Sequence, residues 1–253
     1  MADQGTRRTA LVTGASQGLG AAIAERLARD GFDVAVTELT EAPLAAVVEK
    51  LTGLGARALP IALDICSQPS VDAAIAKAAQ AFGRLDVLVN NAGVTQRRFA
   101  VDITHEEWQS VVDVNMSGTF FMSQAFAKHC IAAKREGAIV SLASTHGVVA
   151  LQERLTYGIT KAAIIHMTRM LAYEWAAHGI RVNAVAPGTI ETPSRAAYFA
   201  ENPGAREAML KRVPVGKFGT AADVAGAVSY LAGADAAFVT GQTLLIDGGL
   251  TTY

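Results

Sequence analysis

Thr9-Ala10-Leu11-Val12-Thr13-Gly14-Ala15-Ser16-Gln17-Gly18-Leu19-Gly20 is the stretch on which the fold turns. An apolar run ends at the first of three glycines, and a helical pattern begins at the second. Glycines permit a tight strand-to-helix turn. They also let a pyrophosphate approach the backbone N–H groups at the helix N-terminus. The spacing here is Gly-x-x-x-Gly-x-Gly. Such a turn also occurs between a strand and a helix that bind nothing, so its weight depends on what surrounds it.

Working outward, short apolar runs alternate with helical patterns along the whole chain. Strands are expected near residues 9–13, 33–37, 58–63, 85–90, 138–143, 181–185 and 243–246. Several are continuously apolar, as parallel strands covered on both faces are. Helices are expected near 18–30, 41–53, 69–82, 105–133, 157–178 and 221–232. The alternation predicts one α/β domain spanning residues 1–253. It is a doubly wound, Rossmann-type parallel sheet of about seven strands with helices on both faces. Residues 188–218 break the pattern and contain Pro193, Pro203 and Pro214. They are expected to form a substrate-loop excursion, partly helical.

Composition narrows the function. The chain has 253 residues, 51% hydrophobic and 18% charged, enough for a sizeable core. Its 22 basic and 23 acidic residues nearly cancel, which argues against nucleic acid or a membrane surface as partner. Cys66 and Cys130 stand far apart, which fits a reducing cytoplasm rather than a disulfide scaffold. No His/Cys spacing suggests a metal site. Residues 1–8 are polar and lack the apolar stretch of a secretory signal. A cytoplasmic protein is expected, and a small-molecule partner remains where nucleic acid and membrane are argued against.

The second strand closes on Thr37-Glu38, about 20 residues past the glycine turn, where an acidic side chain meets the adenosine ribose hydroxyls. A carboxylate there also repels a 2′-phosphate, favouring NAD over NADP. The alternative is a solvated Glu38 with Thr37 turned inward. Asp64, Asn90-Asn91-Ala92-Gly93 and Ser144 close the third, fourth and fifth strands. All fall at the carboxyl edge of the sheet, where ligands of open α/β sheets bind.

Tyr157 and Lys161 share a helix face at i and i+4. A free tyrosine has a pKa of about 10, too high for acid/base work near neutrality, and a nearby ammonium lowers it. The spacing alone also fits an ordinary helix surface. Six elements in register change that: 13–20, Asn90-Asn91-Ala92-Gly93, Asn115, Ser144, Tyr157-Gly158-Ile159-Thr160-Lys161 and Pro187-Gly188. Together they resemble the short-chain dehydrogenases/reductases over almost the whole chain. The resemblance implies that Tyr157 is the general acid/base, with Lys161 lowering its pKa and binding the nicotinamide ribose. Ser144 would hold the substrate oxygen, and Asn115 would anchor a water relay to Lys161. It further implies that Gly14, Ser16, Gln17, Gly18, Leu19 and Gly20 line the pyrophosphate. Glu38 would take the ribose, Asp64 and Ile65 the adenine, and Asn91, Ala92 and Gly93 the cleft wall. Pro187, Gly188, Ile190 and Thr192 would fix the carboxamide and pyrophosphate. NADP-preferring relatives often carry a basic residue where this chain has Gln17, which agrees with Glu38. A homotetramer is the assembly the resemblance implies.

Substrate-facing loops are polar. Gln96, Arg97, Arg98, His146, Glu153 and Arg154 are placed to meet hydroxyls and a carboxylate, the planar guanidinium suiting the latter. Arg97 and Arg98 also fit as solvated loop charges. Parts of the chain, around Gln96-Arg97-Arg98 and 120–124, are similar to gluconate and deoxygluconate dehydrogenases. The reaction expected is secondary alcohol to ketone, on a sugar, sugar acid or polyol. The rival is a 3-oxoacyl-thioester reductase using NADPH. A catalytically idle dinucleotide-binding protein is the alternative from another class.

Overall fold

The computed structural model describes residues 7–252, so most of the polar N-terminal stretch lies outside the described residues. Seven strands form one parallel sheet in the order β3-β2-β1-β4-β5-β6-β7. They are β1 (Arg8–Val12), β2 (Phe32–Glu38), β3 (Ala58–Ala62), β4 (Val87–Asn90), β5 (Gly137–Leu142), β6 (Ile180–Pro187) and β7 (Thr243–Ile246). The order reverses between β1 and β4, and that switch point opens a crevice at their carboxyl ends. The expected fold is borne out.

The core follows from the two-residue period of the strands. Ala10 and Val12 of β1, Val87 and Val89 of β4, and Ala138 and Val140 of β5 face one way. There they meet α1 (Gly18–Arg29), α2 (Ala45–Gly53) and α9 (Ala221–Ala232) through Ile23, Leu27, Leu51 and Val228. Leu11, Leu88 and Ile139, one residue out of step, face the other way. They meet α3 (Gln68–Phe82), α5 (Thr119–Ala133) and α6 (Leu155–Trp175) through Val71, Ile75, Phe126 and Leu171. Each large apolar side chain so buried contributes about 1.5–3 kcal/mol. Both faces being covered explains why these strands read as continuous apolar runs.

One expectation needs correction in detail. Residues 105–133 do not form a regular helix. α4 (His105–Val112) and α5 are joined by a π-helical turn, Asp113–Gly118, which contains Asn115. The turn packs tightly, since a Cβ on Gly118 would lie 2.8 Å from the Ile65 side chain. The excursion after β6 is partly helical, as expected, and folds into α7 (Pro193–Glu201) and α8 (Ala205–Leu210). Among the described residues no helix is long and apolar enough to cross a membrane.

Candidate active site

The glycine turn is held in place by its neighbours. Gly14 has φ +62° and its Cβ position would lie 2.9 Å from Ala92 Cα, so the two loops touch backbone to backbone. Asn91 clamps the contact, donating from Nδ2 to the carbonyls of Thr13 (2.9 Å) and Gly14 (2.8 Å). Thr13 Oγ1 accepts in return from the N–H of Asn91 (3.0 Å) and of Ala92 (2.9 Å). Gln17 sits at the N-cap of α1 with no side-chain cap bond, which leaves the first-turn N–H groups for an anion.

A cavity of about 310 Å³ runs along this edge. Its lining includes Gly14, Ser16, Gln17, Glu38, Asp64, Ile65, Asn91, Ala92 and Gly93. Thr37 is buried, while Glu38 reaches the cleft as expected. Ser16 Oγ donates to Glu38 Oε2 at 2.7 Å, and Leu39 N–H donates to Oε1 at 3.1 Å, so the carboxylate is fixed. Asp64 spends Oδ1 on the N–H of Cys66 (2.9 Å), which shapes the loop after β3. Glycine edge, uncapped helix and fixed carboxylate together fit a dinucleotide, whose nicotinamide exchanges hydride with the substrate carbon. On the far side, Gly188 N–H donates to Ile246 O (3.0 Å), and Ile190 is buried against Gly219. Thr192 caps α7 through the N–H of Arg195 (3.3 Å).

Ser144 follows β5, and Tyr157 and Lys161 lie one turn apart on α6. Lys161 is buried, and its Nζ donates to Leu142 O at 2.6 Å. It lies 5.6 Å from the centre of the Tyr157 ring. Burial lowers its pKa to about 8. Burial also raises the Tyr157 phenol above its ordinary value. What pulls it back is the Ser144 hydrogen bond and then the charges of Arg154 and Arg195. The ammonium thus lies over the Tyr157 ring while it is tied to the carbonyl at the end of β5. Asn115 is fully buried in the π turn and grips Val94 at both ends, accepting from its N–H (2.8 Å) and donating to its O (2.9 Å). A Cβ on Gly93 would lie 3.1 Å from Asn115 Oδ1 and 3.7 Å from Lys161 Nζ, so Gly93 keeps these groups close.

The polar loops are zipped together. Arg98 N–H donates to Glu153 O (3.0 Å) and Arg154 Nη1 donates to Gln96 O (3.1 Å). Arg97 pairs with Glu153 at 2.9 Å and stacks on Tyr198, 5.3 Å from its ring centre. Arg98 turns outward to Glu107 at 2.7 Å, the solvated alternative. His146 and Arg154 stay with Tyr157: the His146 and Tyr157 rings meet edge to face at 5.9 Å. Burial, then the charges of Arg154, Arg195 and Arg212, push His146 down to about 4. Arg195 is a functional candidate that sequence reasoning missed. It sits one turn before Tyr198 on α7, the residue that Arg97 covers. Basic residues in the excursion are visible in the sequence, but nothing in their spacing says which faces the cleft.

The family profile described as Enoyl-(Acyl carrier protein) reductase matches residues 14–251. The chain is 37% identical to 3-oxoacyl-[acyl-carrier-protein] reductase FabG of Thermotoga maritima, covering 96% of this chain and 97% of the relative. It is 36% identical to 2-dehydro-3-deoxy-D-gluconate 5-dehydrogenase of Escherichia coli, covering 96% and 94%. A single-residue variant of actinorhodin polyketide ketoreductase, solved with NADPH, superposes with a TM-score of 0.91 at 35% identity over 98% of both chains. The names of these relatives span different substrates. With likeness over nearly its full length, the chain belongs to the short-chain dehydrogenase/reductase family of NAD(P)-dependent oxidoreductases.

Proposed function

We propose that the protein interconverts a secondary alcohol and a ketone on a polar substrate, a sugar, polyol or, best, a sugar acid. Tyr157 is the general acid/base and Ser144 the donor to the reacting oxygen. The observation that carries the substrate reading is an excess of guanidinium beside Tyr157. Arg154 and Arg195 both act on the phenol, and among the described residues no carboxylate lies within ion-pair distance of either. Glu153 is committed to Arg97. Partly buried cations with no direct ion-pair partner are costly, and a substrate carboxylate offsets that cost. Fixed Glu38 and non-basic Gln17 favour NAD over NADP, although a related structure holds NADPH.

A second reading, 3-oxoacyl-thioester reduction with NADPH, is favoured by the FabG relative. One panel separates the two. Sugar acids, polyols and aldoses are scored by NADH or NADPH formation, and 3-oxoacyl thioesters by its loss. The expected result is the highest kcat/KM on an acid with NAD. Arg154→Met should then raise KM for the acid about 10–100-fold, the loss of a charge-assisted hydrogen bond, and leave the KM for an uncharged polyol little changed. A preference for thioesters with NADPH would reverse the assignment.

We also propose a homotetramer. Phe121 on α5 and Ile159, Met170 and Tyr173 on α6 are exposed apolar residues on the two helices that pair across subunits in this family. Light scattering at micromolar concentration should give four times the 26.4 kDa chain mass, and a monomer would refute the assembly.

A further inference from the structure

Ser144 Oγ has one proton to give and two lone pairs to receive. Two atoms of one residue sit at hydrogen-bonding distance from it. The backbone N–H of His146 donates to Oγ at 3.2 Å, and His146 Nδ1 lies 3.2 Å from the same oxygen. The 3₁₀ turn Thr145–Gly147, capped by Ser144, brings both about by folding His146 back over the serine. The turn is tightly seated: a Cβ on Gly147 would lie 2.7 Å from the Lys161 carbonyl carbon. The imidazole is further fixed by its edge-to-face contact with Tyr157.

We propose that His146 positions the Ser144 proton: donating from both its backbone N–H and its Nδ1–H, it fills the acceptor sites of Oγ and turns the serine proton toward Tyr157 and the reacting oxygen. The alternative tautomer, with the proton on Nε2, would make Nδ1 an acceptor and withdraw the serine proton from the reaction. Two features select the productive tautomer. The ring is neutral at neutral pH, because burial and the surrounding positive charge oppose a second proton. That positive charge comes from Arg154, Arg195 and Arg212, which offer only donors, so a lone pair on the remaining nitrogen is preferred to an N–H. His146 thus acts through Ser144, as a positioning residue. This inference rests on the reading of Ser144 as donor to the reacting oxygen and is independent of which alcohol is the substrate.

The first test needs no substrate. Long-range ¹H–¹⁵N NMR of the wild-type protein at neutral pH should show a protonated Nδ1 and an unprotonated Nε2 for His146. A ring with its proton on Nε2, or one that is doubly protonated at pH 7, overturns the proposal. The second test uses whichever substrate the panel identifies. His146→Leu should lower kcat roughly tenfold, about the worth of one hydrogen bond, with KM little changed. His146→Asn, whose amide can donate from a similar place, should restore most of it. In a Ser144→Ala background, His146→Leu should cost nothing further. An equal loss in both backgrounds would show that His146 works on the substrate or the fold, not on the serine. Failure of the sugar-acid reading would leave all of these outcomes intact.

Discussion

Tyr157→Phe is expected to lower turnover by roughly 10²–10⁴-fold, as loss of a general acid/base does, while the fold and dinucleotide binding persist. The ring is part of the packing, and Phe keeps it: the edge contact with His146 and the Lys161 ammonium over its face depend on the aromatic system. Only the hydroxyl is lost. The dinucleotide edge from Gly14 to Asp64 is built by residues that do not touch that hydroxyl. Quenching of intrinsic fluorescence by NADH should therefore be unchanged while steady-state turnover collapses. Near-normal turnover would remove Tyr157 from the chemistry.

The wild-type pH profile carries the same assignment. In alcohol oxidation Tyr157 must be deprotonated to accept the proton. Its pKa lies above the ordinary phenol value because burial outweighs Ser144 and the two arginines. Oxidation should therefore accelerate as pH rises into the alkaline range. Ketone reduction needs the protonated phenol and should decline over that same range.

How much of this was legible in the sequence depends on the length scale of each interaction. Strands covered on both faces print themselves as apolar runs, so 138–143 and 85–90 located β5 and β4 to within a few residues. The glycine turn was legible because a positive φ at Gly14 and backbone contact with Ala92 leave glycine as the fitting residue. The π turn at Asn115 was not. It inserts an irregularity into a helical pattern, and the Asn115 it carries is bonded to Val94, 21 residues away. Charge pairing was equally hidden. Arg97 and Arg98 are adjacent and chemically identical, yet one joins Glu153 in the substrate loop and the other Glu107 on α4. Helical spacing put Lys161 beside Tyr157, but it could not show that a carbonyl at the end of β5 holds the ammonium. Ser144, Arg154 and Arg195, which also bear on the acidity of Tyr157, come from three segments that only the fold brings together.

That convergence makes Ser144→Ala the second decisive variant. Removing one donor to a developing oxyanion typically costs about 10²–10³-fold in kcat. In this protein the same hydroxyl is also the foremost group lowering the Tyr157 pKa. Its removal should therefore do two things at once. Turnover should drop by about 10²–10³-fold, and the alkaline limb of oxidation should move to higher pH, because the buried phenol loses a stabilising hydrogen-bond donor. The sign follows from the proton balance: a hydrogen bond given to the phenolate favours the ionised form, so losing it raises the pKa. A serine that merely orients substrate would lower kcat or raise KM and leave the limb where it was. Measuring kcat for oxidation of one substrate from neutral to strongly alkaline pH in wild type and Ser144→Ala separates the two. An unshifted limb would mean that Ser144 acts only on the substrate oxygen and not on the acidity of Tyr157.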